Sequence, residues 1–305
     1  MIPYLLRRGA FAALVMLGAA TVMFGIIRLS GDPIALFVGD AASEEDVAAV
    51  RKTLGLDAPL AVQYVRYVAR IARGDLGVSF RYERPVAGLV LNALVPTLAL
   101  TALATGLATA LGVLLGVLAS VRRNSVLDHV TMLLAVTGQC SPVFLTAIVA
   151  MLLFAVHLRW LPTAGWGSAP SIVLPVGTLT LFVVGRIARM TRAAMLEVLS
   201  KDYIRTAHAK GLPPLGVVYT HALKNAAIPV VTIAGATFAA LLGGVVVTET
   251  VFGIPGLGQL LVRAVLVRDF PLAQGAILIT AFLVTWVNLL IDLTYAVLDP
   301  RIARE

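Results

Sequence analysis

Six apolar runs are each about as long as a helix must be to cross roughly 30 Å of hydrocarbon, and they decide most of what this chain can fold into. They lie near 9–29, 96–121, 130–156, 171–190, 228–250 and 275–297. Each run is continuous rather than alternating, so it reads as a helix and not as the strands of a membrane barrel. Only 13% of the 305 residues are charged, against about 25% in an ordinary soluble domain. That is too little charge to cover a water-facing surface. The expected fold is an all-α membrane protein of about six transmembrane helices. Gly106, Gly112 and Gly116 in the second run are small enough to let helices approach closely. Pro142 and Pro175 fall inside or at the start of runs, where neighbouring helices can satisfy the freed backbone.

The first run reads as a retained helix rather than a secretion signal. Arg7 and Arg8 precede an apolar stretch from Ala10 to Ile27, longer than a signal core of about 7–15 residues, and no clean small-x-small cleavage site follows it. The formal charge of +8 reads as cationic loops beside anionic lipid, with no nucleic acid partner. With six spans, one side collects Arg7, Arg8, Arg122, Arg123, the cations from Arg186 to Lys224, Arg301 and Arg304. The third and fifth connections carry only Arg159, Arg263 and Arg268. The arginine-rich side is expected to be cytoplasmic, with both termini inside. Cys140 is the one cysteine, so there is no intrachain disulfide and no C-x-x-C metal spacing.

The first connection reads as folded. Ser43-Glu44-Glu45-Asp46 has the form of a helix N-cap with an acid three residues on. Gly55-Leu56-Asp57-Ala58-Pro59 is a stop and restart. Leu60 to Ile71 then carries apolar residues at helical spacing, with Arg66, Arg70 and Arg73 on the polar face. These features predict a small external cap of two short helices.

The fourth connection, about 191–227, is long and basic. Asp202 to Lys210 contains good helix formers, and Gly211 supplies the left-handed residue that ends a helix. Leu212-Pro213-Pro214 forces a turn and restart, Leu215 to Leu223 resumes a helical pattern, and Pro229 is expected to open the next span. A helix-turn-helix at the membrane surface follows. Such a device docks on a soluble partner or lies on lipid, and the spacing alone does not choose between them.

Arg205-Thr206-Ala207-x-x-x-Gly211, followed by His221-Ala222-Leu223-Lys224-Asn225 and Ile228-Pro229, resembles the EAA loop of binding-protein-dependent ABC importer permeases. Ala207 and Gly211 match that pattern. Arg205 stands where it has glutamate, Thr206 where it has alanine and Lys224 where it has proline. The variant from Tyr203 to Gly211 looks like the dipeptide/oligopeptide/nickel branch. So do Gly31-Asp32-Pro33, Gly55-Leu56-Asp57-x-Pro59, Gly74-Asp75-Leu76-Gly77-x-Ser79 and Trp160-Leu161-Pro162-x-x-Gly165. Glu249-Thr250-Val251-Phe252-Gly253-Ile254-Pro255-Gly256-Leu257-Gly258 and Leu298-Asp299-Pro300-Arg301 complete the set.

The resemblance implies a type I ABC importer permease fold. Residues 1–93 would hold the first transmembrane helix and the external cap, 94–298 the permease core with a cytoplasmic coupling loop near 202–224, and 299–305 a cytoplasmic tail. It implies import of short peptides across a bacterial inner membrane. The implied partners are a homologous second permease subunit, two ATPase subunits or domains that bind ATP and Mg, and an external solute-binding protein. Tyr203, Arg205, Thr206, Ala207, Lys210, Gly211 and Leu212 are the residues it assigns to ATPase coupling. A nickel or metal-chelate permease is the alternative within the family.

Catalytic machinery is not legible. The chain has no Gly-Lys dipeptide, which a phosphate loop needs, no His-Glu-x-x-His and no Gly-x-Ser-x-Gly. His129, His157, His208 and His221 are scattered, and neither metal nor cofactor is expected in this chain. An intramembrane hydrolase therefore lacks a catalytic set. Gln139, Asn288 and Asp292 interrupt apolar stretches, either lining a hydrated substrate passage or bonding between helices. An ion-coupled secondary transporter would favour buried charges and broken helices at mid-membrane; such charges are few here. The purified chain alone is expected to release no phosphate from ATP above a mock preparation. Turnover in a radiolabelled-phosphate assay would overturn the division of labour between chain and partners.

Overall fold

The computed structural model describes residues 2–29 and 57–298. The expected short helix at Ser43 to Asp46, the Gly31-Asp32-Pro33 segment and the tail from Asp299 lie outside the described residues. Eleven helices, in our numbering, make up almost all of the rest. They are α1 (Ile2–Leu29), α2 (Leu60–Ala72), α3 (Val86–Val121), α4 (Val126–Cys140), α5 (Val143–Ala150), α6 (Ala169–Leu199) and α7 (Asp202–Ala209). Then come α8 (Pro214–Gly244), α9 (Val246–Phe252), α10 (Leu257–Leu266) and α11 (Phe270–Leu298). Wider π-helical winding continues α5 through Met151–His157 and occupies Val217–Leu223 within α8.

Among the described residues five helices are long and apolar enough to cross a membrane, or up to seven spans if each of two sharply bent pairs counts as one. One pair corrects the expectation of an unbroken run at 130–156. Helices α4 and α5 meet at 100° across Ser141-Pro142. Proline disfavours helical backbone in the residue before it, and Ser141 is extended (φ −75°, ψ 128°). A second difference concerns Pro229. It lies inside α8, whose helix already begins at Pro214. The second arm of the expected surface motif is thus the base of a span rather than a separate helix.

The chain forms two compact units. The first comprises residues up to Pro96 and Pro255–Trp286. Here α2 lays Gln63 and Tyr67 inward, and Tyr67 joins Ala20 and Leu278 in a small core with Phe24 and Tyr64. The Tyr64 hydroxyl pairs with that of Thr21 at 2.6 Å. The Gln274 amide donates to the Tyr67 oxygen, and burial pushes the Tyr67 phenol up to about 12. Asp269, 1% exposed, fastens the loop before α3. It accepts from the Ser79 hydroxyl, from the Phe80 and Arg81 amides at 3.2 and 3.1 Å, and from Leu272 N–H at 3.2 Å in the first turn of α11.

The second unit comprises Thr97–Ile254 and the residues from Val287 on. Its centre is α6, the most buried of the five spans. A Cβ on Gly112 of α3 would lie 2.8 Å from the Ile187 side chain, and one on Gly116 would lie 2.5 Å from Thr191. Gly138 of α4 faces the Leu181 carbonyl at 2.7 Å on the same measure, and Gly185 of α6 presses on the Ala135 carbonyl. Gly106, expected with the other two, meets nothing within 4 Å.

The contrast yields a paired test. Gly185→Ala must separate α4 from α6, at a cost of about 1–3 kcal/mol, whereas Gly106→Ala meets open space. The first variant is expected to melt at lower temperature in detergent and the second to match the parent. Equal melting temperatures would show that the α4–α6 contact is not close-packed.

Candidate functional site

Helix α7 owes its shape to the residues read from sequence. Gly211 has φ +78°. Its N–H donates to the His208 carbonyl at 2.9 Å, and Leu212 N–H reaches back to the Ala207 carbonyl at 3.4 Å. This pair of bonds is the Schellman closure of a helix end. Pro213, with φ −62° and ψ 143°, then sets the restart at Pro214.

One face of α7 is committed to the chain's own interior. Ile204 and Ala207 are buried with Val117 of α3, Ala194 and Met195 of α6, and Val217, Val218, Ala222 and Ala226 of α8. Of the residues assigned to coupling, Ala207 is therefore 7% exposed and packs inward, where it holds the helix rather than meeting a partner. Tyr203, Arg205, Thr206, Lys210, Gly211 and Leu212 are exposed. Arg205 pairs loosely with Asp202 at 3.5 Å, both side chains well exposed, so its guanidinium is available. Leu215 and Tyr219, on the base of α8, are 71% and 53% exposed and extend the apolar part of this surface. Sequence reading did not count them as site residues, although their positions three and seven residues after Leu212 were a signal.

The three residues set against the apolar runs have different fates. Gln139 is half-buried and accepts from the Arg189 guanidinium, joining α4 to α6. Asn288 is exposed on α11. Asp292 lies in α11, and its side chain is outside the described residues. At the other end of α4, Arg192 grips Asp128 with two bonds of 2.6 Å each. No group of three His, Cys, Asp or Glu side chains suited to a metal occurs among the described residues.

Two of the motif segments meet in the second unit. Gly253 (φ +62°) ends α9, with Ile254 N–H donating to the Glu249 carbonyl at 2.9 Å. The Phe252 carbonyl accepts from Gly165 N–H at 3.0 Å, tying the Trp160–Gly165 loop to α9. The Glu249 carboxylate is fully buried and accepts from the Thr97 hydroxyl at 2.6 Å.

Residues 112–304 match the family described as binding-protein-dependent transport system inner membrane component, and residues 1–101 match the N-terminal region of such membrane components. A probable peptide ABC transporter permease of Sinorhizobium fredii is 41% identical over 308 residues, 98% of each chain. A putative peptide transport system permease of Brucella abortus is 42% identical over 307 residues, again 98% of each. The glutathione transport system permease of Salmonella paratyphi A is 41% identical over 304 residues, 99% of each. Among solved structures, the MetNI methionine ABC transporter in an inward-facing form superposes with a TM-score of 0.59 at 22% identity, covering 69% of this chain and 96% of that one. An amino acid ABC transporter superposes with a TM-score of 0.54 at 16% identity, covering 68% and 92%.

The end of α7 is open to test. Nothing lies within 4 Å of a Cβ placed on Gly211, so any side chain there meets only a conformational cost. For a left-handed residue that is about 1–2 kcal/mol. Gly211→Val is expected to leave insertion in the membrane unchanged and to speed amide exchange along α7. Unaltered exchange at Gly211 neighbours Lys210 and Leu212 would show that the left-handed closure does not hold the helix.

Proposed function

We propose that this chain, which belongs to the family of binding-protein-dependent transport system inner membrane components, is the permease half of an ABC importer for short peptides. Its fold is that of a type I importer permease, and it is a multi-pass membrane protein. The substrate assignment rests on relatives named for peptides and for glutathione, each matched over nearly its whole length. A homologous second permease, two ATPases that bind ATP and Mg, and an external solute-binding protein complete the assembly. The chain itself performs no chemistry. It sits in a bacterial inner membrane with both termini inside, a reading supported by its arginine asymmetry. The first 93 residues carry the external cap, 94–298 form the translocating core, and 299–305 are a cytoplasmic tail.

The two-faced packing of α7 carries this reading. Ile204 and Ala207 anchor the helix in the chain, while Tyr203, Arg205, Thr206, Lys210 and Leu212 look outward. A helix that only rested on lipid would turn its apolar face to the lipid; α7 turns that face to its own core. The outward residues are then the seat for an ATPase groove, and Gly211 keeps them in place. Asn288 and Asp292 of α11, with Gln139, are our candidates for the substrate passage.

Two readouts test the assignment in the complex purified through this chain. Arg205→Cys, in a Cys140→Ser background, is expected to react with an impermeant maleimide in inside-out vesicles only. Tyr203→Ala combined with Arg205→Ala is expected to lower ATPase co-purification and peptide import at least tenfold, with the chain's own level unchanged. Labelling from outside would reverse the orientation. Full import by the double variant would remove α7 from coupling.

A further inference from the structure

We propose that Asp128, Gln139, Arg189 and Arg192 are positioning residues that make α4 and α6 one lever, passing the movement of α7 to the break at Ser141-Pro142. The inference rests on the coupling role proposed for α7.

The lever begins where α7 meets α6. Ile204 and Ala207 share an apolar cluster with Ala194 and Met195, in the last two turns of α6. A push on α7 therefore reaches the end of α6 directly. Helix α6 is joined to α4 at successive levels in antiparallel register. Arg192 stands opposite Asp128, Gly185 against Ala135, and Leu181 against Gly138. Arg189 reaches to Gln139, the penultimate residue of α4, immediately before the break.

The glycine contacts alone would hold the two helices together. Charged side chains in so apolar a setting are costly, and a buried ion pair is often no more stable than an apolar pair of the same size. What the polar pairs add is register. Asp128 is 3% exposed and has its bonds filled: two from Arg192 and one from the Asn124 amide at 3.0 Å. The Ser125 hydroxyl in turn accepts from the Asp128 amide at 3.3 Å, capping α4. Sliding α6 along α4 by one turn would strand a buried carboxylate and two guanidinia. The pair is thus stiff against sliding. Ser141 N–H still bonds the Thr137 carbonyl at 3.2 Å, but Pro142 has no N–H to continue the ladder, and there the chain already turns by 100°. Coupling between distant sites is carried by packed side chains, polar networks and rigid helices; the break gives the chain a place to bend at the end of the lever.

The test uses the full complex purified through this chain, with its external binding protein, in proteoliposomes. The probe is a radiolabelled pool of di- to pentapeptides, and the readout is ATP hydrolysed per peptide imported. Arg189→Leu removes the grip at the break, and Arg192→Lys keeps the charge but loses the two-pronged bond. Both are expected to assemble and to hydrolyse ATP at the parent rate, with the ratio raised at least tenfold. Arg189→Lys, which keeps a donor for Gln139, is expected to restore the ratio to within threefold of the parent. A parent ratio in both Arg189→Leu and Arg192→Lys overturns the lever. So does a fall in assembly and hydrolysis together at a constant ratio, which marks a merely structural role. If parent import proves independent of ATP, the coupling reading itself has failed, and the inference falls with it.

Discussion

Four glycines bring α3 and α4 against α6 more closely than any side chain allows. Gly112 and Gly116 rest on Ile187 and Thr191, and Gly138 and Gly185 make contacts between α4 and α6 at backbone carbonyls. In a bilayer the hydrophobic effect gives helices little reason to associate, because lipid is as apolar as leucine. Close approach, with the dispersion contacts it brings, has to supply that reason. Helix α6 is gripped in this way from two sides, and α7 is anchored on its end. The position of the outward face of α7 is therefore inherited from contacts several turns away.

The first unit is fastened differently. Asp269 gathers a hydroxyl and three amides, from Ser79, Phe80, Arg81 and Leu272, and so ties the loop before α3 to the start of α11. Gly74 and Gly77, at φ +78° and +85°, let the chain turn into that bond set. The segment Gly74-Asp75-Leu76-Gly77-x-Ser79 thus has a physical reason for its composition. Two glycines make the turns, and the serine ends them on a buried carboxylate.

Length and apolarity made the spans legible, and Gly211 with Pro213-Pro214 made the end of α7 legible. Both signals are local, and both act through backbone geometry. Pairings across the chain were not legible. Gln139 and Arg189 are separated by 50 residues, and Asp269 and Ser79 by 190. Nothing in the sequence of either partner names the other. Pro142 was visible but read as a tolerated proline, because its effect depends on whether neighbours hold the helix straight. A broken helix had counted toward an ion-coupled carrier; family membership, not the break, separates the two. The inward packing of Ala207 was hidden for a related reason: an amphipathic stripe shows that one face is buried but not against what.

The winding of Val217–Leu223 has a consequence for aim. A π-helical turn holds one residue more than the α-helical hydrogen-bonding pattern does. Each residue of an α-helix advances the chain by about 100° around the axis. The extra residue between α7 and the rest of α8 is therefore absorbed by the wide turn. Wind the same residues as regular α-helix and everything before them swings by about that angle, unless Val217 and Val218 leave their cluster. Two permeases with the same outward side chains on this helix, one wound wide in this stretch and one not, would present them in different compass directions. Winding here encodes a bearing as well as a distance.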